Sequence, residues 1–356
     1  MTPDLMARLK ADPSEWLLEP GNPGVRFFTL RDLRGYSEQE SLVKQARLAI
    51  PLDKTVTRIF AQQKPEGNWE AADQPYLPKY KSTYWQIMIL AQLGLDKTGA
   101  PIRRAVDYIT RFQMHDGGFT ASCEAGLTRE YEWACKQASK RRKTPEPFQM
   151  WARTKIREEE MSCLTGNVAA ALIRLGYAGD IRVRRALDWL VAVQNADGGW
   201  LCPYWKAHLR DTHGCFMATI TALDAFAECP EPIRTPPLKA AAAQGAEFLL
   251  MHRLYKSDHH GFRPIKATWL QLTFPWLFYD ILRGLTALTK LGCSRDPRID
   301  DALEVLLRKQ RPDGAWILEN TPNGRMQTNI EAKGRPSKWV TLHALQVIKR
   351  ISEARD

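Results

Sequence analysis

Apolar positions recur at three- and four-residue spacing in several segments of the chain, and this spacing predicts amphipathic helices. The clearest examples are residues 101–113, 181–194 and 297–310. A second set of segments is more uniformly apolar, which is typical of helices buried on most sides. These segments are 25–35, 82–95, 162–177, 215–228, 275–292 and 338–350. The pattern predicts an all-α chain in which outer amphipathic helices alternate with inner apolar helices.

Four motifs of the form Gln-x-x-x-Gly-x-aromatic follow amphipathic segments. They read QKPEGNW at 63–69, QMHDGGF at 113–119, QNADGGW at 194–200 and QRPDGAW at 310–316. A glycine ends each helix because it adopts the left-handed conformation at little cost. A degenerate copy, residues 246–262, fills the long gap before the last motif. Internal repetition of this kind predicts an array of helical hairpins.

These motifs resemble the QW repeat of the squalene cyclase and protein prenyltransferase superfamily, and the resemblance covers about residues 22–350. It implies an (α/α)6 toroid, a barrel of helical hairpins whose inner helices line a lumen. It also implies that each glutamine bonds a neighbouring helix while the aromatic ring packs between adjacent outer helices. We expect an N-terminal extension at 1–21, one toroid domain at 22–350 with a rim insertion at about 120–160, and a C-terminal tail at 351–356.

Composition indicates a globular protein with a large core, since 44% of the 356 residues are hydrophobic and 26% are charged. No apolar run approaches the roughly 20 residues that span a bilayer. The N-terminus lacks the apolar centre of a signal peptide, so we expect a cytoplasmic protein. Seven scattered cysteines do not indicate a disulfide framework.

The net charge of +11 favours anionic partners. Nucleic-acid binding requires basic residues interleaved with exposed aromatic residues on one face, and the sequence does not establish such a face. Nucleic acid is therefore not the favoured partner. We expect a hydrophobic small-molecule substrate with an anionic head group, and a partner protein stays open as an alternative.

Long connections follow the motifs at 120–160, 201–212 and 317–337, at the rim where the inner helices begin. Loops carry functional sites more often than scaffolds do, and helix amino ends favour anions. This rim is therefore the predicted place for the head group, beside aromatic residues in the lumen. A solvated charged rim and ordinary core packing are the alternatives. The predicted substrate-binding residues are Lys79, Lys81, Tyr84, Trp85, Arg210, Trp276, Tyr279, Lys338 and Trp339.

A candidate metal site combines Cys163, Cys202, His213 and Cys215, because sulfur and nitrogen ligands suit tetrahedral Zn²⁺. The β subunits of protein prenyltransferases resemble this pattern, and the resemblance implies His343 as an additional ligand. The match is partial, since this chain has His213 where the family has aspartate. The alternative is that the cysteines are small apolar core residues and that His343 is a core histidine.

Catalytic candidates are few, because the D-x-D-D-T motif of squalene-hopene-type cyclases is absent from the sequence. Asp280 is the best inner-helix carboxyl group, and burial can raise its pKa enough for it to act as an acid. Cys215 is the candidate metal-bound nucleophile. The first hypothesis is a terpene cyclase/prenyltransferase-like enzyme that binds an isoprenoid in the lumen, with zinc-assisted chemistry. The alternative is a non-catalytic binding or scaffold toroid with a structural zinc site.

Overall fold

The computed structural model describes residues 5–356. Within that range, fifteen α-helices carry the fold, joined by short 3-10 turns. They are α1 Ser14–Leu17, α2 Pro23–Phe28, α3 Ser41–Ala49, α4 Lys54–Phe60, α5 Thr83–Gln92, α6 Ala100–Ile109, α7 Thr128–Lys140, α8 Phe148–Glu158, α9 Ser162–Leu172, α10 Ile181–Ala192, α11 Phe216–Glu228, α12 Pro236–Met251, α13 Ile281–Lys290, α14 Asp300–Arg308 and α15 Lys338–Arg355. The strands form two antiparallel pairs, β1 Lys256–Ser257 with β2 Arg263–Pro264 and β3 Trp316–Ile317 with β4 Pro336–Ser337.

Six of these helices form a closed inner ring in the order α2, α5, α9, α11, α13 and α15. The helices α2 and α9 continue as π-helical turns at Thr29–Leu33 and Ile173–Tyr177. The ring closes at Gly24, which lies so near the Leu93 carbonyl and the Trp339 ring that a Cβ would overlap the carbonyl. Each inner helix therefore contacts the next one around a lumen. The all-α toroid predicted from the sequence is confirmed.

Outer elements back the inner ring. The helices α6, α10, α12 and α14 pack against α5, α9, α11 and α13, while α3 and α4 follow α2. The N-terminal segment takes the sixth outer position, since the turn Leu5–Arg8 and α1 contact α15. The expected N-terminal extension starts at residues 1–4, which lie outside the described range, but its remainder packs on the ring. The expected tail at 351–356 continues α15.

The motif glutamines tie neighbouring hairpins together. Each side-chain amide donates one hydrogen bond within its own motif and one near the start of the next outer element. For Gln63 the acceptors are the carbonyls of Gly67 at 3.0 Å and Pro101 at 2.9 Å. The same pair of bonds is formed by Gln113, Gln194 and Gln310. The second acceptor of Gln310 is the Ala11 carbonyl, so the last motif joins the end of the chain to its beginning.

The glycine and the aromatic residue of the motif have separate tasks. Gly67 has φ +95° and abuts the Arg104 carbonyl, so a side chain there would be strained and would overlap α6. Trp69 is fully buried, and its Nε1 donates to the Ile59 carbonyl of α4 at 2.8 Å. The Trp69 backbone N–H donates to Thr83 Oγ1 of α5 at 3.0 Å. Each motif thus links an outer helix, the next outer helix and an inner helix.

In the degenerate copy of the motif, residues 246–262, ion pairs replace the hydrogen bonds of the glutamine. Arg253 and Lys256 contact the Asp301 carboxylate of α14 at 3.1 and 2.7 Å. The ring therefore keeps a tie at this position although the motif residues have changed.

The fifth inner helix begins at Ile281 rather than at residue 275, which corrects the sequence prediction. Asp280 caps α13 by accepting a hydrogen bond from the Arg283 N–H at 2.8 Å. The apolar segment 271–280 is therefore irregular, and it enters the lumen instead of lengthening the helix. No helix within residues 5–356 combines the length and the apolar composition that a bilayer crossing requires.

Candidate functional site in the lumen

A cavity of about 330 Å³ lies in the lumen at the end where the inner helices finish. All six inner helices or their π-helical extensions contribute to its wall, together with Trp276 from segment 271–280. Part of the wall is aromatic, formed by Phe27, Phe28, Trp276 and His343. The charged lining residues are Arg31, Asp32, Glu38, Arg47, Asp96, Arg174, Glu228, Lys290 and Arg350.

Segment 271–280 closes the cavity toward the opposite mouth. The backbone N–H of Trp276 donates a hydrogen bond to Gln92 Oε1 at the end of α5, at 2.7 Å. The Trp276 ring packs on His343 with centroids 4.2 Å apart, and Phe274 stacks on Trp339 at 4.7 Å. Aromatic side chains therefore fill the lumen toward the starts of the inner helices. The cavity occupies the part of the lumen where these helices finish.

A buried polar cluster joins three inner helices in the lumen. Arg283 of α13 is 1% exposed and pairs with Asp224 of α11 at 2.7 Å. The same guanidinium donates to Asn167 of α9 at 2.7 Å and to the Phe278 carbonyl at 3.0 Å. The cluster connects the three helices. Because these partners take up the hydrogen-bond donors of the guanidinium, Arg283 is poorly placed to bind a ligand.

Three polar residues of α15 face the cavity at helical spacing, namely His343, Gln346 and Arg350. His343 Nδ1 lies 3.1 Å from Gln346 Oε1, and Gln346 Nε2 donates to Asp32 Oδ2 at 2.7 Å. Burial, together with the nearby cations Lys290, Arg174 and Arg350, lowers the pKa of His343 to about 3, while the hydrogen bond with Gln346 opposes this shift. The imidazole is therefore neutral at physiological pH.

Positive charge exceeds negative charge where α9, α11, α13 and α15 end. Glu228 pairs with both Arg174 at 3.1 Å and Lys290 at 2.5 Å. Burial alone would raise the pKa of Glu228. The two cations outweigh burial and hold this pKa well below its usual range. Arg350 adds a third cation, whose charge is attracted by Asp32, Glu228 and Glu353, although no hydrogen bond or close ion pair joins it to them. Its Nη1 is buried without a partner.

The other two cavity arginines are already paired. Arg47 contacts Glu38 at 2.7 Å and Asp96 at 3.0 Å. Arg31 contacts Asp32 at 2.5 Å and packs over the Phe28 ring. Since carboxylates already engage both guanidinium groups, Arg350 is the cation best placed to receive an anion.

The predicted rim residues lie elsewhere. Lys79 is exposed beside the Tyr76 ring, and Arg210 is exposed in the connection before α11. Lys338 pairs with Glu19 at 2.7 Å, and Lys81 is half-buried beside α5. None of these four cations lines the lumen cavity.

Among the predicted aromatic residues, only Trp276 lines the cavity. Tyr84 is fully buried and donates to the Thr120 carbonyl at 3.0 Å, between two hairpins. The Trp85 Nε1 donates to the Tyr76 carbonyl at 2.8 Å, and the Tyr279 hydroxyl donates to the Leu254 carbonyl at 2.5 Å. Trp339 packs against Phe274 above the cavity. These contacts place the four residues in the core, and their role in substrate binding stays a prediction.

The predicted zinc ligands come together only in part. Cys163 and Cys202 have their sulfur atoms 3.8 Å apart, and their hydrogen bond raises the pKa of Cys163. Cys215 caps α11 near Cys163, whereas His213 packs on Phe248 and directs Nδ1 to the Gly214 carbonyl. His343 belongs to the cavity instead. Within residues 5–356, no group of three or more His, Cys, Asp or Glu side chains is arranged to hold a metal ion. Zinc binding stays a prediction, which metal analysis of the purified protein tests.

Asp280, the predicted acid, is fully buried at the start of α13. Burial raises its pKa to about 6. One oxygen accepts from the Arg283 N–H, and the other accepts from the backbone N–H and the hydroxyl of Thr273. The structure therefore shows a helix cap whose two oxygens are both engaged, and Asp280 does not line the cavity.

Sequence reasoning missed Gln346, Arg350 and Asp32. The signal was present, because the polar residues at 343, 346 and 350 lie at i, i+3 and i+7 on one face of a largely apolar inner helix. A polar stripe on an inner helix predicts groups that face the lumen. Asp32 gave no such signal. It follows Arg31 in a short segment, and only the folded structure shows that this segment lies beside α15.

No family model matches this chain, and no curated protein matches it. Several solved structures are similar in overall shape. A protein from Actinoplanes is 17% identical with a TM-score of 0.44, over 94% of this chain and 89% of that one. A variant of the type II terpene cyclase MstE from Scytonema, in complex with the product merosterolic acid A, is 16% identical with a TM-score of 0.46, over 96% and 87%.

Another MstE variant, in complex with the substrate geranylgeranyl dihydroxybenzoate, is 17% identical with a TM-score of 0.46, over 96% of this chain and 88% of that chain. At such identities and TM-scores the likeness carries no activity over to this chain.

Proposed function

We propose that this protein binds an isoprenoid-like molecule in the lumen cavity, with the anionic head group of the ligand at Arg350. The observation that supports the proposal is a largely buried guanidinium whose Nη1 has no hydrogen-bond partner, in a cavity whose wall combines aromatic rings with charged side chains that are already paired. Leaving a buried N–H donor without a hydrogen-bond partner costs about 1–3 kcal/mol. An anionic head group removes that cost and offsets the excess charge of Arg174 and Lys290.

The aromatic wall supports an apolar body for the ligand. Phe27, Phe28 and Trp276 present apolar ring surface to the cavity. Aromatic faces also stabilise positive charge, which develops in the reactions of isoprenoid substrates. The wall therefore supports a terpene cyclase/prenyltransferase-like enzyme, and a non-catalytic binding protein is the second candidate. Incubation with geranyl diphosphate and analysis of the products separate the two, because only the enzyme converts the ligand.

The head-group prediction is tested with geranyl phosphate and geraniol, which share an apolar body and differ in charge. We expect Arg350→Met to weaken binding of geranyl phosphate about tenfold to a hundredfold, since hydrogen bonds to charged groups contribute about 1.5–3 kcal/mol. Binding of geraniol should change less than about twofold, because methionine keeps the apolar stem. Titration calorimetry on both ligands measures the difference.

Arg308→Met is the matched control, because Arg308 is exposed on the outer helix α14 and lies away from the cavity. This variant should bind both ligands as the unaltered protein does. Equal losses of both ligands in Arg350→Met would contradict a head-group role. Failure of the unaltered protein to bind either ligand would overturn the proposed function.

A further inference from the structure

The tautomer of His343 follows from a chain of hydrogen bonds that ends at a carboxylate. Asp32 Oδ2 accepts only, so the Gln346 atom 2.7 Å from it is the NH₂ group. The other end of that amide is then the carbonyl oxygen, 3.1 Å from His343 Nδ1. Since an oxygen acceptor requires a donor, Nδ1 carries the proton.

In a neutral imidazole whose Nδ1 is protonated, Nε2 holds a lone pair and accepts hydrogen bonds. His343 Nε2 forms no hydrogen bond with any residue between 5 and 356, and the side chain lines the cavity. Stacking on Trp276 holds the plane of the ring. The lumen thus contains one oriented, unused acceptor beside an aromatic wall.

We infer that His343 Nε2 is a hydrogen-bond acceptor for the ligand in the lumen cavity and selects a ligand that carries a hydroxyl group as well as an anionic head. This inference rests on the proposed function, because the head group at Arg350 places the ligand. Residues 343 and 350 are two helical turns apart, about 10 Å along α15. The ligand class is therefore an elongated apolar molecule with an acidic group at one end and a hydroxyl group toward the other. Gln346 and Asp32 are positioning residues for the imidazole.

The first test needs no ligand. Long-range ¹H–¹⁵N correlation spectra of protein labelled at histidine distinguish a protonated from an unprotonated ring nitrogen. We expect His343 to show protonated Nδ1 and unprotonated Nε2 at neutral pH. In Gln346→Met the tautomer preference should be lost, since the acceptor of Nδ1–H is gone. A protonated Nε2 in the unaltered protein overturns the inference.

The second test compares ω-hydroxydecanoate with its methyl ether, ω-methoxydecanoate. Both probes have the same carboxylate and chain, but only the first can donate a hydrogen bond. We expect the unaltered protein to bind the hydroxy acid about tenfold more tightly, because the ether leaves Nε2 unpaired. His343→Phe keeps an aromatic ring against Trp276 and should bind both probes equally.

His259→Phe is the control, because His259 is 80% exposed and lies outside the cavity. This variant should keep the tenfold preference. If both probes bind the unaltered protein equally and Arg350→Met weakens both, the inference fails and the proposed function stands. If neither probe binds, the proposed function fails and the inference fails with it.

Discussion

At the scale of single residues, Glu160 shows how burial changes the chemistry of a side chain. Its carboxyl group is fully buried against Gly118 of the second motif, beside Arg157 and Asp116. Burial and a hydrogen bond with Asp116 together raise the pKa of Glu160 to about 8, while Arg157 opposes the shift. The carboxyl group of Glu160 is therefore protonated in the folded protein at neutral pH.

The raised pKa predicts that stability declines with pH. A glutamate titrates at about 4.3 in the unfolded chain, so the folded state binds the proton more tightly between about pH 4.3 and 8. The contribution is complete below pH 4.3 and is lost as pH rises through 8. Glu160→Gln should remove this dependence. Across that window the free energy of unfolding should fall, relative to the variant, by at most about 1.4 kcal/mol per pH unit.

Urea unfolding at several pH values measures this difference. Glu124→Gln is the control, because Glu124 is exposed in the same connection. Its stability curve should run parallel to that of the unaltered protein. Parallel curves for Glu160→Gln as well would show that Glu160 does not hold the proton.

At the scale of secondary-structure elements, the motif glutamine is the bond between hairpins. Gln63→Leu removes two hydrogen bonds and leaves the Pro101 and Gly67 carbonyls without these donors. We expect a loss of about 1–3 kcal/mol in the free energy of unfolding, the usual cost of unsatisfied buried acceptors. Gln62→Leu is a neighbour control, since Gln62 is exposed, and it should change stability by less than about 0.5 kcal/mol. Equal effects of the two substitutions would contradict the role of the motif.

Much of the element scale was predictable from sequence, because each motif acts on neighbours that its own chain segment supplies. Gln63 bonds Gly67 four residues on, and Trp69 bonds Ile59 ten residues back. Glycine and proline residues mark the ends of the same helices in the sequence. The sequence pattern predicts a start of α13 that is too early, because segment 271–280 is as apolar as an inner helix although it is irregular and its side chains are buried in the lumen.

At the scale of the whole molecule, the ring is closed by its own N-terminal segment. Gln310 accepts a hydrogen bond from the Lys10 N–H at 2.7 Å and donates to the Ala11 carbonyl at 3.0 Å. Gln310→Leu should therefore release residues 5–17 from the ring. Hydrogen–deuterium exchange should be faster in that segment than in the unaltered protein.

Gln63→Leu serves as the control for this experiment, because it removes the equivalent tie in another part of the ring. Exchange in residues 5–17 should then remain slow. If both variants leave the segment equally protected, other contacts with α15 hold it, and the closure does not depend on Gln310.

The sequence by itself determined a ring of helical hairpins and the residues that tie its units, because those ties repeat and act over short separations. The position of the cavity was decided only by tertiary structure. The predicted anion site was at the rim where inner helices begin, whereas the cavity lies at the other end, because segment 271–280 fills the lumen between them. Its chemistry joins residues 314 positions apart, as between Asp32 and Gln346, and only closure of the ring brings such residues into hydrogen-bond distance.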